Sequence, residues 1–71
     1  MRITVQVRPS LDTRELREFA RRHRATLSSA GVPHFYLIDI ENPETGELVL
    51  SLLRQKTGVE AAYVKPSEDL P

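Results

Sequence analysis

The stretch of this chain that most restricts its fold is His34-Phe35-Tyr36-Leu37-Ile38-Asp39-Ile40-Glu41. Tyr36, Ile38 and Ile40 share one side of an extended backbone, and Phe35 and Leu37 take the other until Asp39 restores polarity. A strand apolar on both sides is central, either in a sheet covered twice or in a sheet whose open face meets a partner. With 71 residues in all, little chain is left to cover a second face. At this size folding removes only about 60% of the unfolded chain's surface from water. One small domain with one covered and one open sheet face is the expectation.

The flanking segments supply the other elements. Ile3, Val5 and Val7 alternate with Arg2, Thr4, Gln6 and Arg8, which predicts a strand buried on one side and stopped by Pro9. Asp12 suits a helix N-cap with Glu15 completing a capping box, and Ser10 is a competing start. Leu16, Phe19, Ala20 and His23 recur at i, i+3, i+4 and i+7, opposite a stripe of Arg14, Arg17, Arg21 and Arg24. Glu18 can pair with Arg14 or Arg22, and His23 reads as a half-buried packing residue. Residues 24–30 admit either more helix or a short edge strand over 24–28. Thr26, Ser28 and Ser29 are poor helix formers and favour the strand.

Asn42-Pro43-Glu44-Thr45-Gly46 is a turn that leads either into a hairpin or into a helix capped by Asn42, with Pro43 first. Leu48, Val49, Leu52 and Leu53, at i, i+1, i+4 and i+5, favour a helix to Lys56 or Thr57, with Gly58 as the left-handed stop. An apolar run over residues 59–64 gives a last strand. The order is then strand, helix, short strand, strand, helix, strand. That is the ferredoxin-like βαββαβ arrangement of the α+β class: a four-stranded antiparallel sheet with the first and third strands central, and right-handed crossovers setting both helices on one face. Residues 1–66 form the domain and residues 67–71 a polar tail. Ile3, Val5, Val7, Leu16, Phe19, Tyr36, Ile38, Ile40, Leu52 and Leu53 pack beneath the helices, leaving Phe35 and Leu37 on the open face.

Several functions are not expected. The chain has no cysteine, so it has no disulfide and no thiolate metal site, and its two histidines stand eleven positions apart, which is not a zinc spacing. No Gly-rich phosphate loop, nucleophile motif or metal cluster stands out, so no catalytic residue, metal or cofactor is expected, and His34 has no sequence partner for catalysis. No apolar stretch approaches the ~20 residues of a membrane span. Arg2 leads directly into strand residues, so a soluble chain without signal peptide or membrane contact is expected. Lack of cysteine suits a reducing cytoplasm and equally many secreted bacterial proteins; the compartment stays open, with the cytoplasm preferred.

Net charge is zero, but seven Arg face Asp12, Glu15 and Glu18 up to Pro33, and the remainder carries the compensating excess of acids. Such asymmetry can steer a partner or pair internally. The Arg stripe raises RNA binding, but RNA-binding sheets of this shape put paired aromatics on the first and third strands, where this chain offers Thr4 and Gln6 on the first. Nucleic acid is not the expected partner.

The closing words, Leu52-Leu53-Arg54-Gln55-Lys56-Thr57-Gly58-Val59-Glu60-Ala61-Ala62-Tyr63-Val64-Lys65-Pro66, resemble the end of a propeptide of the subtilisin-type serine proteases. There a leucine-containing helix runs into a short turn, a Gly-Val-Glu segment, a final strand with a late valine, and a polar exit containing proline. The likeness covers residues 48–66; elsewhere it rests on element order. It implies a protease inhibitor or folding chaperone whose open sheet face packs on two surface helices of a subtilisin-type serine protease, while the tail lies in the active-site cleft as an added strand.

Carried onto this chain, the resemblance makes Phe35 and Leu37 sheet-face contacts. It makes Tyr63, Lys65, Pro66, Ser67, Glu68, Asp69, Leu70 and Pro71 edge and tail contacts. The tail departs from the family pattern. Pro71 ends it and Glu68 stands where an apolar residue is usual; an Asn-Gly-Phe wording in the third strand is replaced by His34-Phe35-Tyr36. The alternative is a non-inhibitory interaction or regulatory module of the same fold.

Overall fold

The alternation of Ile3, Val5 and Val7 is realised in strand β1, Arg2–Val7, whose three aliphatic side chains are all buried. The computed structural model describes residues 1–64; the tail contacts expected at Lys65, Pro66, Ser67, Glu68, Asp69, Leu70 and Pro71 lie outside the described residues. After β1, Asp12 caps helix α1, Thr13–Arg22, by accepting the Arg14 N–H on Oδ1 at 2.9 Å. The helix closes in a Schellman motif: Arg24 N–H donates to the Arg21 carbonyl at 3.1 Å and Ala25 N–H to the Ala20 carbonyl at 2.8 Å. Arg24 takes the left-handed conformation, with φ 56°. Because residues 24 and 25 are spent on this stop, the edge strand β2 runs over Thr26–Ser29, slightly later than expected.

Strand β3, Phe35–Asp39, is followed by helix α2, Pro43–Gln55, and strand β4, Val59–Val64. The turn at residues 42–46 takes its helical continuation. Asn42 Oδ1 accepts the Glu44 N–H at 2.8 Å and Pro43 stands in the first turn, where its missing N–H costs nothing. The Glu15 side chain does not complete a capping box in α1; it reaches across to Lys56 Nζ at 3.5 Å. Among the described residues Glu18 forms no ion pair with Arg14 or Arg22.

Gly58 acts one step later than the sequence suggests. Helix α2 already ends at Gln55, and Gly58, with φ 96°, occupies the third position of a turn closed by Val59 N–H to the Lys56 carbonyl at 3.2 Å. That position of a type II turn needs positive φ. A Cβ there would also come within 2.9 Å of Leu11 Cδ1.

The sheet order is β2-β3-β1-β4, every neighbouring pair antiparallel, with β1 and β3 central. Ile3, Val5 and Ile38 from the sheet are packed with Leu16 of α1 and with Val49 and Leu53 of α2, so both helices cover one face. This is a ferredoxin-like α+β fold. Phe19 and Tyr36 are partly buried against the core, and His23 is half-buried with its ring 4.7 Å from that of Phe19. The packing stripe of α2 differs from the expected one. Gly46, Val49 and Leu53 are its buried residues, Leu52 is only half-buried, and Leu48 is 54% exposed. Gly46 explains the rotation, because the absence of a Cβ leaves room for the Met1 side chain against the helix. No helix among the described residues is long and apolar enough to cross a membrane.

Candidate protein-binding face

Register fixes which side chains look away from the helices. Ile3 lies opposite Ile38 and Val5 opposite Tyr36, all on the covered side, so Thr4, between them, projects to the open side with Leu37 opposite it on β3 and Tyr63 opposite it on β4. With Ser28 of β2 these form one row across all four strands. The next row is Phe35, Gln6 and Ala61. Directly opposed side chains on a sheet stand about 5 Å apart and shield one another. Thr4 illustrates this, being only 8% exposed although no helix lies over it.

A bulge between Gln6 and Val7 sets the phase of β4. Strict alternation would put Val59, Ala61 and Tyr63 together; the bulge passes over Glu60 and pairs Val59 with Val7 on the core side, leaving Ala61 and Tyr63 on the open side. Tyr63 keeps 42% of its surface exposed, while Phe35 and Leu37 are half-buried by their neighbours. Two exposed ion pairs bound this apolar middle. Arg2 Nε meets Asp39 Oδ1 at 2.9 Å at one end, and Arg8 Nε meets Glu60 Oε2 at 3.7 Å at the other. Such pairs contribute roughly 0–1 kcal/mol to stability; here they also form a polar rim around apolar contact area.

The residues singled out from sequence are thus partly gathered. Phe35, Leu37 and Tyr63 occupy one face, with Tyr63 on the outer strand β4, so it stands on the open face and at the sheet edge together. Thr4, Gln6, Ser28 and Ala61 complete that face. The alternation of the first strand indicates Thr4 and Gln6, but the bulge that places Ala61 has no sequence mark. His34, exposed and with φ 69°, ends the β1–β3 ladder by accepting the Val7 N–H at 2.9 Å. The chain matches no family model, no curated protein and no solved structure.

Proposed function

We propose that this chain is a protein-binding domain of the kind that accompanies subtilisin-type serine proteases, acting through its open sheet face as inhibitor or folding chaperone. The observation that carries the reading is the helix-free row Leu37, Thr4 and Tyr63 with Phe35 beside it, where apolar side chains flank Thr4 and Gln6 and ion pairs stand at both ends. An apolar centre with a polar rim is what a protein interface requires. The resemblance over residues 48–66 supplies the class of partner, and β4, which lies within it, precedes residues 65–71 in the sequence. The role is binding rather than catalysis. Against RNA as the ligand stands the first strand, which offers Thr4 and Gln6 to this face where stacking aromatics would be needed.

A second reading, a non-inhibitory module that tethers or regulates another protein domain through the same face, is favoured by the tail sequence. Ser67, Glu68 and Asp69 form a polar, acidic run that suits the apolar subsites of a cleft poorly in any register. Hydrolysis of a chromogenic peptide by a subtilisin-type protease, followed with increasing amounts of the full chain, separates the two. The first reading expects inhibition that weakens when residues 67–71 are removed and disappears in Phe35→Asp/Leu37→Asp with circular dichroism unchanged. Equal potency after the truncation removes the cleft mechanism, and complex formation by the double variant removes the face.

A further inference from the structure

The two outer edges of the sheet are not equivalent. Met1 and Ile40 exchange both backbone bonds, at 2.7 and 2.8 Å, so odd-numbered residues of β1 turn N–H and C=O toward β3 and even-numbered ones toward β4. Ala62, opposite Val5, therefore turns its carbonyl out of the sheet, and there Arg54 Nε occupies it at 3.0 Å. On the far side Ala30 N–H donates to the Phe35 carbonyl at 3.2 Å, and the same alternation directs the N–H and C=O of Leu27 and Ser29 out of the β2 edge. Among the described residues no side chain or backbone group bonds to these outward groups. An open row of this kind is a template for an added strand.

Helix α1 lines that edge with positive charge. Arg17 borders a cleft of about 280 Å³ together with Leu27, Ser28 and Ser29. At the opposite end of β2 Arg24 borders another with Thr26, where Asp39 and Glu41 also line it, so the positive charge is concentrated at the Arg17 end. Arg21 lies one helical turn beyond Arg17, between them in sequence. All three arginines are exposed and, among the described residues, none has a carboxylate within ion-pair distance. Four helical residues advance about 6 Å and two strand residues about 6.6 Å, so alternate side chains of an added strand keep step with Arg17 and Arg21.

We propose that the outer edge of β2 takes up an extended acidic segment of a partner protein as a fifth strand. Its backbone bonds to Leu27 and Ser29, and carboxylates at alternate positions face Arg17 and Arg21. A second copy of this chain is a poorer occupant, because pairing β2 with itself brings two sets of arginines together. The proposal concerns a surface separate from the open sheet face and does not depend on the function assigned to that face.

The test is an NMR titration of the isotope-labelled full chain at low salt with the capped peptide Thr-Glu-Val-Glu-Val-Glu-Thr, against its counterpart with lysine for glutamate. Amide shifts centred on Leu27 and Ser29 are expected with the acidic peptide only. Arg17→Gln and Arg21→Gln should each weaken binding by roughly 1.5- to 5-fold, and added salt should weaken it further. Ser29→Pro removes an outward N–H without touching the ladder and should abolish the shifts. Ser29→Ala, which loses only the 3.1 Å bond from Gly31 N–H to Ser29 Oγ, should bind as the parent does. The proposal is overturned by an absence of shifts at millimolar peptide or by equal binding of the lysine peptide. It is equally overturned by retained binding in Ser29→Pro, by the same shifts with an oligothymidylate, or by a dimer of the free chain that Ser29→Pro dissolves.

Discussion

Arg54 Nε donates to the carbonyl of Ala62 at 3.0 Å, so a side chain of α2 occupies an outward carbonyl on the edge of β4. A cationic donor on an otherwise open edge both satisfies a carbonyl and puts charge where another strand would have to dock. Arg54→Ala should cost about 1 kcal/mol, because the bond is only partly buried, and should allow association at high concentration through the freed edge. Urea denaturation and sedimentation velocity measure the two effects. Unchanged stability together with a monomer at every concentration would show that this contact guards nothing.

Gly58 is held by two constraints at once, positive φ in the turn before β4 and a close approach to Leu11. Gly58→Ala should therefore destabilise by about 1–3 kcal/mol, from left-handed strain and from displacement of Leu11. For a domain of this size that lowers Tm by several degrees in a thermal melt. A variant within 0.5 kcal/mol of the parent, on the order of ordinary surface substitutions, would mean that the turn has another conformation.

Arg24 occupies the position of the Schellman motif that glycine fills best. Arg24→Gly should relieve left-handed strain and raise stability by about 0.5–1 kcal/mol. The stabilisation, read from urea midpoints, should persist at high salt, since it comes from the backbone and not from lost repulsion among the arginines. A gain that vanishes with salt would assign it to charge instead.

How far the fold could be read from the chain depends on how local each signal was. Ile3, Val5 and Val7, the Asn42-Pro43 cap and the two-sided apolar segment around Leu37 each act over a few residues, and strand, helix and central position followed from them. Leu48 and Leu52 misled because α2 rotates to bring Gly46 against Met1, a contact between residues 45 positions apart that no periodicity encodes. Glu15 similarly left its expected cap to reach Lys56, just past the end of the other helix. For the open face, Phe35 and Leu37 were legible from alternation alone. Tyr63 joined them only through the bulge at Gln6 and Val7, which reverses the phase of β4 partway along.

That bulge gives the sheet-face reading its sharpest comparison. Tyr63 and Val64 are neighbours on β4 with similar exposure, 42% and 39%, but Tyr63 lies opposite Thr4 on the open face and Val64 opposite Ile3 on the helix side. Exposed aromatic residues amid an apolar patch are frequent interface hot spots, and truncating one of them lowers affinity tenfold or more. Tyr63→Ala should therefore weaken the proposed protease inhibition at least tenfold while costing no more than about 1 kcal/mol of stability, the range of β-strand preference. Val64→Ala should leave inhibition within twofold. Equal losses from both variants would point to the edge of β4 as the contact, because an edge presents side chains of both faces. Loss from Tyr63 alone fits only a partner that lies across the row Leu37, Thr4 and Tyr63.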